Sequence, residues 1–530
     1  MNYTINKRNS LYKVSIGIIV LLIGFGNFSC KKIDNLQSNR LATETTNWKT
    51  LEDAKANLLS IYGLMRSASV SDNGHWLMGD LRQGDFQITN RADLKAIVNG
   101  QLNASYPVIN RITNWRRFYA AINAASLYIE RSGEILKLDP RYTELNNRVD
   151  IAQARMIRAF AYFYMSRIWG DVPLVTSSHD GDFVQLSRTS QDKVLAFATN
   201  ELLAAGQVVP FRYGGTDPIL PGLYHSNSWT GWNGILFTRL SCYAMLAHIA
   251  AWQGNYLDAA NYAKFVLENQ ATQNKDGSFG LAYLDMASLT ENSSNSPFAF
   301  KRATLIVGFP FEAGNGLLTA NGHLEQLTLA SPFIPKTQPE MFVPKDTINK
   351  VFTDPFDLRF GIDPVTRSYR TNYFYNYQSE QPIFNKVKAI YTGQTASNVA
   401  LFSSSMVFSR LEEISLLRAE ALAVLGDREG AITALNQATN LRGVTYLSSS
   451  KVPVIDAIFA ERRRELMGEG WRWYDIIRYN KIKNSNNIFA NKNGVAMTFK
   501  QFEAAGGIYW PVSQDVINAN PSITQNPYWN

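Results

Sequence analysis

Apolar positions recur with the helical period over several long stretches of the chain. From about Trp48 to Met65, the residues Leu51, Ala54, Leu58, Ile61, Tyr62 and Met65 share one face and predict a helix with a buried stripe. The same reading predicts helices over Trp115 to Ile129, with Phe118, Tyr119, Ile122 and Leu127 inward, and over Val149 to Trp169, with Ile157, Phe160, Ala161, Tyr164 and Ile168 inward. Gly170 and Pro173 stop the last of these, with glycine just past the helix end.

Two further stretches predict helix hairpins. Leu240 to Trp252 and Tyr256 to Glu268 flank a turn at Gln253-Gly254-Asn255, and Arg410 to Leu425 and Glu429 to Leu441 flank Gly426-Asp427. Each turn glycine is followed five residues later by an alanine, Ala259 or Ala431, small enough for close helix packing. This pattern resembles tetratricopeptide (TPR) repeats, with units at 240–268 and 410–441. Residues 271–400 break the pattern. They hold Pro297, Pro310, Pro332, Pro335, Pro339, Pro344, Pro355, Pro364 and Pro382 among many Asn, Ser and Gly, and predict long loops with short strands and helices. The expected fold class is mostly α, a scaffold of TPR-like helical hairpins carrying a loop-rich insertion.

The N-terminus adds an address. Lys7, Arg8 and Lys13 precede an apolar run from Val14 to Phe25, too short to span a bilayer comfortably, and Asn27-Phe28-Ser29-Cys30 then resembles a lipobox. The expected organisation is a signal peptide over 1–29, an acylated (palmitate-bearing) Cys30 with a polar tether over 30–47, and a body over 48–530. The body divides into a helical part (48–270), the loop-rich part (271–400) and a C-terminal part (401–530). Cys242, the other cysteine, lies in an apolar helix and has no disulfide partner once Cys30 is acylated.

Charge and motif content exclude several functions. The net charge of +8 includes the three cations of the leader; without them 49 basic residues face 44 acidic, a balance of +5. No Lys/Arg stripe suited to phosphates is present, so no nucleic-acid partner is expected. The five histidines, His75, His179, His225, His248 and His323, include no pair at helical zinc spacing. Nucleophile elbows, Walker loops and dinucleotide fingerprints are missing too, so neither an enzyme activity nor a cofactor or metal is expected.

Three segments carry a family resemblance. Ala154-Arg155-Met156-Ile157-Arg158-Ala159-Phe160 through Arg167-Ile168-Trp169-Gly170-Asp171-Val172-Pro173-Leu174, then Glu461-Arg462-Arg463-Arg464-Glu465-Leu466 with Glu469-Gly470-Trp471-Arg472-Trp473-Tyr474-Asp475-Ile476-Ile477-Arg478, and the ending Tyr509-Trp510-Pro511-Val512 with Thr524-Gln525-Asn526-Pro527, are similar to the signatures of the SusD/RagB family. The resemblance spans roughly residues 30 to 530. It departs at Met467-Gly468, where the family more often has an aromatic. It implies a lipid-anchored protein of the outer membrane and cell surface, acting as a lid over a SusC-like TonB-dependent transporter and capturing oligosaccharide, or, in RagB-like members, peptide. A TPR-type protein–protein scaffold is the alternative. Arg462, Glu465, Arg472, Asp475 and Arg478 fall at helical spacings that allow charge pairs, and are read as a structural clamp.

Ligand residues are expected in loops that combine flat rings with hydrogen-bonding groups, because sugar rings offer apolar faces edged by hydroxyls. Three loops qualify: Trp76 with Asp80, Arg82 and Asp85; Trp229 and Trp232 beside Tyr224; and Tyr369, Tyr373 and Tyr375.

Overall fold

The first long helix begins where its sequence can cap it. The Thr50 side chain accepts the Asp53 N–H while Asp53 accepts the Thr50 N–H, so α1 spans Leu51–Val70, a few residues later at each end than the apolar pattern predicts. The computed structural model describes residues 47–179, 185–273, 281–291, 296–298, 304–311, 319–391, 400–490 and 494–530. The leader, Cys30 and the tether through residue 46 lie outside the described residues. Residues 50–530 form one unit, distinct from residues 1–49.

Within that unit the long helices are α1, α2 (Arg116–Arg131), α3 (Glu144–Trp169), α4 (Gln191–Gly206), α5 (Arg239–Gln253), α6 (Tyr256–Glu268), α7 (Leu411–Val424), α8 (Arg428–Thr439), α9 (Val454–Glu465) and α10 (Arg472–Lys483). Each packs against its neighbour in this order from α1 to α8, and α9 then packs on α7. The two predicted hairpins are α5–α6 and α7–α8. Gly254 and Gly426 sit at their turns with φ of 79° and 88°, values that favour glycine. Ala259 and Ala431 are fully buried between the helices they join.

Helix α3 is the centre of the core. Every residue from Met156 to Trp169 is buried, so its polar members need partners inside the protein. Arg158 pairs with Glu201 at 2.5 Å. Arg167 lies among the rings of Phe163, Tyr164, Phe408, Trp471 and Tyr474, with the last centroid 4.1 Å from its guanidinium carbon.

Sheet is sparse. Among the described residues it consists of two-stranded antiparallel pairs. Val307–Phe309 pairs with Met406–Ser409, and Phe374–Tyr375 pairs with Ile383–Phe384. The described parts of residues 271–400 are mainly loop, with other two-residue strands and short helices such as Lys345–Val351.

Candidate ligand-binding surface

The segment around Trp76 is a clasp and not an exposed loop. Asp72 and Asn73 turn the chain with positive φ, and Gly74 to Leu81 continue as an α-helical turn that widens into a π-helical one over Leu77–Leu81, packed on the C-terminal signature. Trp76 is 3% exposed and cannot offer a face to a ligand. Asp80 accepts the Gly470 N–H at 2.6 Å, Arg82 donates to the Ile508 carbonyl at 3.0 Å and lies 4.0 Å from the Trp473 ring, and Asp85 accepts both nitrogens of an Arg463 fork. All three are buried. The expectation that Trp76, Asp80, Arg82 and Asp85 bind ligand is therefore corrected: their hydrogen-bonding capacity is spent inside the protein.

Two more candidates are corrected on the same ground. Tyr373 is fully buried, with the Lys386 ammonium 5.1 Å from its ring centroid. Trp232 is 3% exposed and donates its indole N–H to the Tyr224 carbonyl at 2.8 Å. Tyr369 remains accessible at 37% exposure, backed by Phe360 in a stacked pair 5.7 Å apart and by Tyr377. Tyr375 is half-buried with Phe333 edge-on beside it.

The best-formed platform is at Trp229. Gly214 and Gly215 have φ of 95° and 65°, and a Cβ on Gly215 would meet the Trp229 ring at 3.2 Å, so glycine lets the indole lie against backbone. The Arg212 guanidinium sits 5.6 Å from the same ring and donates to the Thr216 hydroxyl at 2.6 Å. The indole itself is half-buried.

A buried network holds this loop in place. Asp150 on α3 accepts the hydroxyls of Tyr128 and Tyr142 at 2.7 and 2.8 Å, that of Tyr224, and the His225 Nε2 at 3.0 Å. Tyr224 and Asn227 exchange backbone hydrogen bonds around His225 and Ser226, both with positive φ. That turn prefers Asn-Gly, and side chains in it cost about 1–3 kcal/mol each. The His225–Asp150 contact offsets the cost. Sequence reasoning picked out Trp229 but missed Asp150, Arg212 and the Gly214-Gly215 seat; the adjacent glycines near a tryptophan pair are the local signal that points there.

The charged signature residues form a second, larger network. Glu465 meets Arg410 at 2.8 Å, Arg442 at 2.8 Å and Arg359 at 3.1 Å. Arg359 also meets Asp357 and Glu461, Arg410 also meets Glu412 and Glu469, and Lys386 meets Glu469 at 2.5 Å. With Arg464 on Glu461, five cations balance five carboxylates. Burial alone would raise the Glu465 carboxyl, but Arg442 and Arg410 hold it well below the usual range. Arg462 and Arg478 share Asp475 at 3.0 and 2.8 Å, as the helical spacing suggests, whereas Arg472 comes no nearer than 3.8 Å to Asp85. The network ties loop residues 357–359 and 386 to the helical hairpin at 410–442. His248 stacks on Trp471 and shares a 3.0 Å contact with Glu413, as a packed residue. Among the described residues no cluster of His, Cys, Asp and Glu could hold a metal ion, and no helix is long and apolar enough to cross a membrane.

Comparison with known proteins agrees with this architecture. Residues 365–529 match the SusD family, and residues 41–218 match a family described as starch-binding and associating with the outer membrane. A SusD superfamily protein from Bacteroides thetaiotaomicron is 43% identical, covers 91% of this chain and 99% of its own, and superimposes with a TM-score of 0.80. A SusD homolog from the same organism shares the fold at 24% identity, with a TM-score of 0.70 over 91% of this chain and 99% of that one. The SusD-like protein P38 of Formosa agariphila is 24% identical over 97% of this chain and 99% of its own length. A mostly helical unit with TPR-like hairpins is the architecture this chain shares with the SusD superfamily structures. This chain belongs to the SusD family.

Proposed function

We propose that this protein is a lipid-anchored lipoprotein of the outer-membrane surface that captures an oligosaccharide, and less readily a peptide, and passes it uncleaved to a SusC-like TonB-dependent transporter. Acylation at Cys30 supplies the anchor. The Trp229 shelf carries the reading of ligand capture: a half-buried indole on glycine backbone, fixed by the Asp150 network, is a rigid flat surface beside hydrogen-bonding groups. Tyr369 and Tyr375 offer further accessible rings. A starch-binding description for the family matching the N-terminal part supports a glycan over a peptide. Ordering cost is low because the shelf is held before ligand arrives. A ligand touching both this protein and the transporter favours the closed state of the pair by its differential affinity for that state.

Glycan and peptide arrays, followed by calorimetric titration of the hits, test this reading. Trp229→Ala is expected to weaken glycan binding by about 1–3 kcal/mol, the range for stacking on a planar ligand, with no change in melting temperature. Unaltered binding in that variant moves the site elsewhere, and a released product establishes an enzyme. One observation favours the scaffold alternative: a groove of about 450 Å³ beside α8 and α9, floored by Ile432, Leu435 and Ala457 and edged by the exposed Leu447 and Val452. Array silence combined with a protein partner seated there would make that the better account.

A further inference from the structure

A second hollow, sharing no lining residue with the Trp229 shelf, opens where the chain end packs on the start of α2. It encloses about 330 Å³, within the size range of small-molecule sites. Trp115 and Tyr119 form one wall, Pro173 and Val175 another, and Val516 and Ile523 a third.

The walls are fixed to one another. The Tyr119 hydroxyl donates to the Pro173 carbonyl at 2.6 Å. The Trp115 ring stands edge-on to Trp169 at 5.7 Å. Asn520, beside the short helix Gln514–Ala519, donates to the Leu186 carbonyl at 3.0 Å and accepts the Ser522 N–H at 3.0 Å. The hollow is therefore formed before any ligand enters.

Its polar groups are the Tyr119 hydroxyl, the Asn520 and Gln185 amides and the Arg116 guanidinium. The Tyr119 hydroxyl and the Asn520 amide are engaged in holding the walls, which leaves Gln185 and Arg116 to meet a ligand. Of the lining residues only Arg116 carries a charge, and among the described residues its guanidinium meets no carboxylate. Neighbouring Arg111 and Arg117 differ: both pair with Asp72, at 2.7 and 3.1 Å. An aromatic-walled hollow whose open polar groups are the Gln185 amide and the Arg116 guanidinium, unpaired among the described residues, complements a molecule with a flat apolar body and one negative group.

We propose that this hollow binds an amphipathic monocarboxylate, its hydrocarbon body between the Trp115 and Ile523 walls and its carboxylate on Arg116. The site is independent of glycan capture at Trp229. The test is calorimetric titration of the full chain with 2-naphthoate and with its neutral analogue 2-naphthylmethanol. Saturable naphthoate binding is expected, with the alcohol weaker by about tenfold, the loss of one charge-assisted hydrogen bond. Arg116→Gln is exposed, should melt like wild type, and should remove the preference for the acid. Ala519→Trp, on the exposed side of the short helix, should fill the hollow and block both ligands. Trp229→Ala should bind naphthoate as wild type does. No saturable binding of naphthoate, an acid preference that survives Arg116→Gln in a folded protein, or undiminished binding by folded Ala519→Trp would each overturn the proposal.

Discussion

The Gly470 N–H donates to the Asp80 carboxylate at 2.6 Å, across 390 positions of sequence. Gly79 makes the approach possible, because a Cβ there would collide with the Gly470 carbonyl. Gly79→Ala is expected to destabilise the body by about 3 kcal/mol, the upper end of overpacking costs. Asp80→Ala should cost about 1–3 kcal/mol by leaving a buried N–H without an acceptor, whereas Asp80→Asn keeps one and should cost less. Urea denaturation of the three variants checks the order, and a mild Gly79→Ala would show that the two backbones can separate.

Glu325 gives a pH-dependent prediction. Burial pushes its carboxyl up to about 7, against the pull of the Ser404 hydroxyl and the Ala389 N–H. A carboxyl whose folded value lies above its unfolded one contributes stability at low pH, and that contribution is lost as pH rises through the folded value. Glu325→Gln should therefore gain on wild type between pH 5 and pH 8, by about 2–3 kcal/mol. Unfolding measured at several pH values reads the difference in slope; parallel profiles would mean that Glu325 is ionised throughout.

Glu465 stands among Arg359, Arg410 and Arg442, each no more than 1% exposed. Glu465→Gln keeps the shape and removes the charge, leaving three guanidinium groups to share the remaining carboxylates. A loss of about 3–5 kcal/mol is expected, the usual result of breaking a buried ion cluster from one side. Arg410→Met should cost a similar amount. The double variant should cost less than the sum of the two, since the pair is removed together. Strict additivity in chemical denaturation would contradict direct coupling.

Trp76 and Trp229, two of the three tryptophans first grouped as ligand residues, should part company. Trp76→Ala opens a cavity in the clasp and should lower stability by about 3–5 kcal/mol. Trp229→Ala should leave the melt unchanged and weaken the ligand only. Thermal melts beside titrations separate them, and equal melting losses would make Trp229 a packing residue as well.

On the proposed anchoring through Cys30, Cys30→Ala should release the protein from the membrane fraction and abolish metabolic lipid labelling. A single acyl chain holds a protein only marginally, so the wild type is expected to carry more than one. Labelling that persists in the variant would rule out the lipobox.

Much of the scaffold was readable from the chain because its cause is local. The apolar period of α1, α2 and α3, the Gly170 stop and the Gly254 and Gly426 turns lie within a few residues of what they determine. Trp169 and Trp473, both in the family-signature segments, are 0% and 1% exposed. The candidate site was harder, because an aromatic-polar mixture reads the same in a ligand loop and in a clasp. What separates them is the partner: Arg82 is satisfied by carbonyls more than 420 positions away, and Asp85 by Arg463, 378 positions away. Trp229 differs because its seat, Gly214-Gly215, is nearby in sequence.

Helix α3, the longest in the body, closes against almost the last segment to be made. The Trp169 indole donates to the Pro511 carbonyl, 342 positions on, and the Trp510 N–H donates to the Ile168 carbonyl. At ribosomal speed that interval is on the order of 20 to 70 seconds. During it α3 can pack on α1, α2 and α4, but its Trp169 end waits for the segment that closes over it. Losing even the final twenty-odd residues would leave the Trp169 end of α3 uncovered, so a nonsense codon there should destabilise the body although nearly all of its helices have been made.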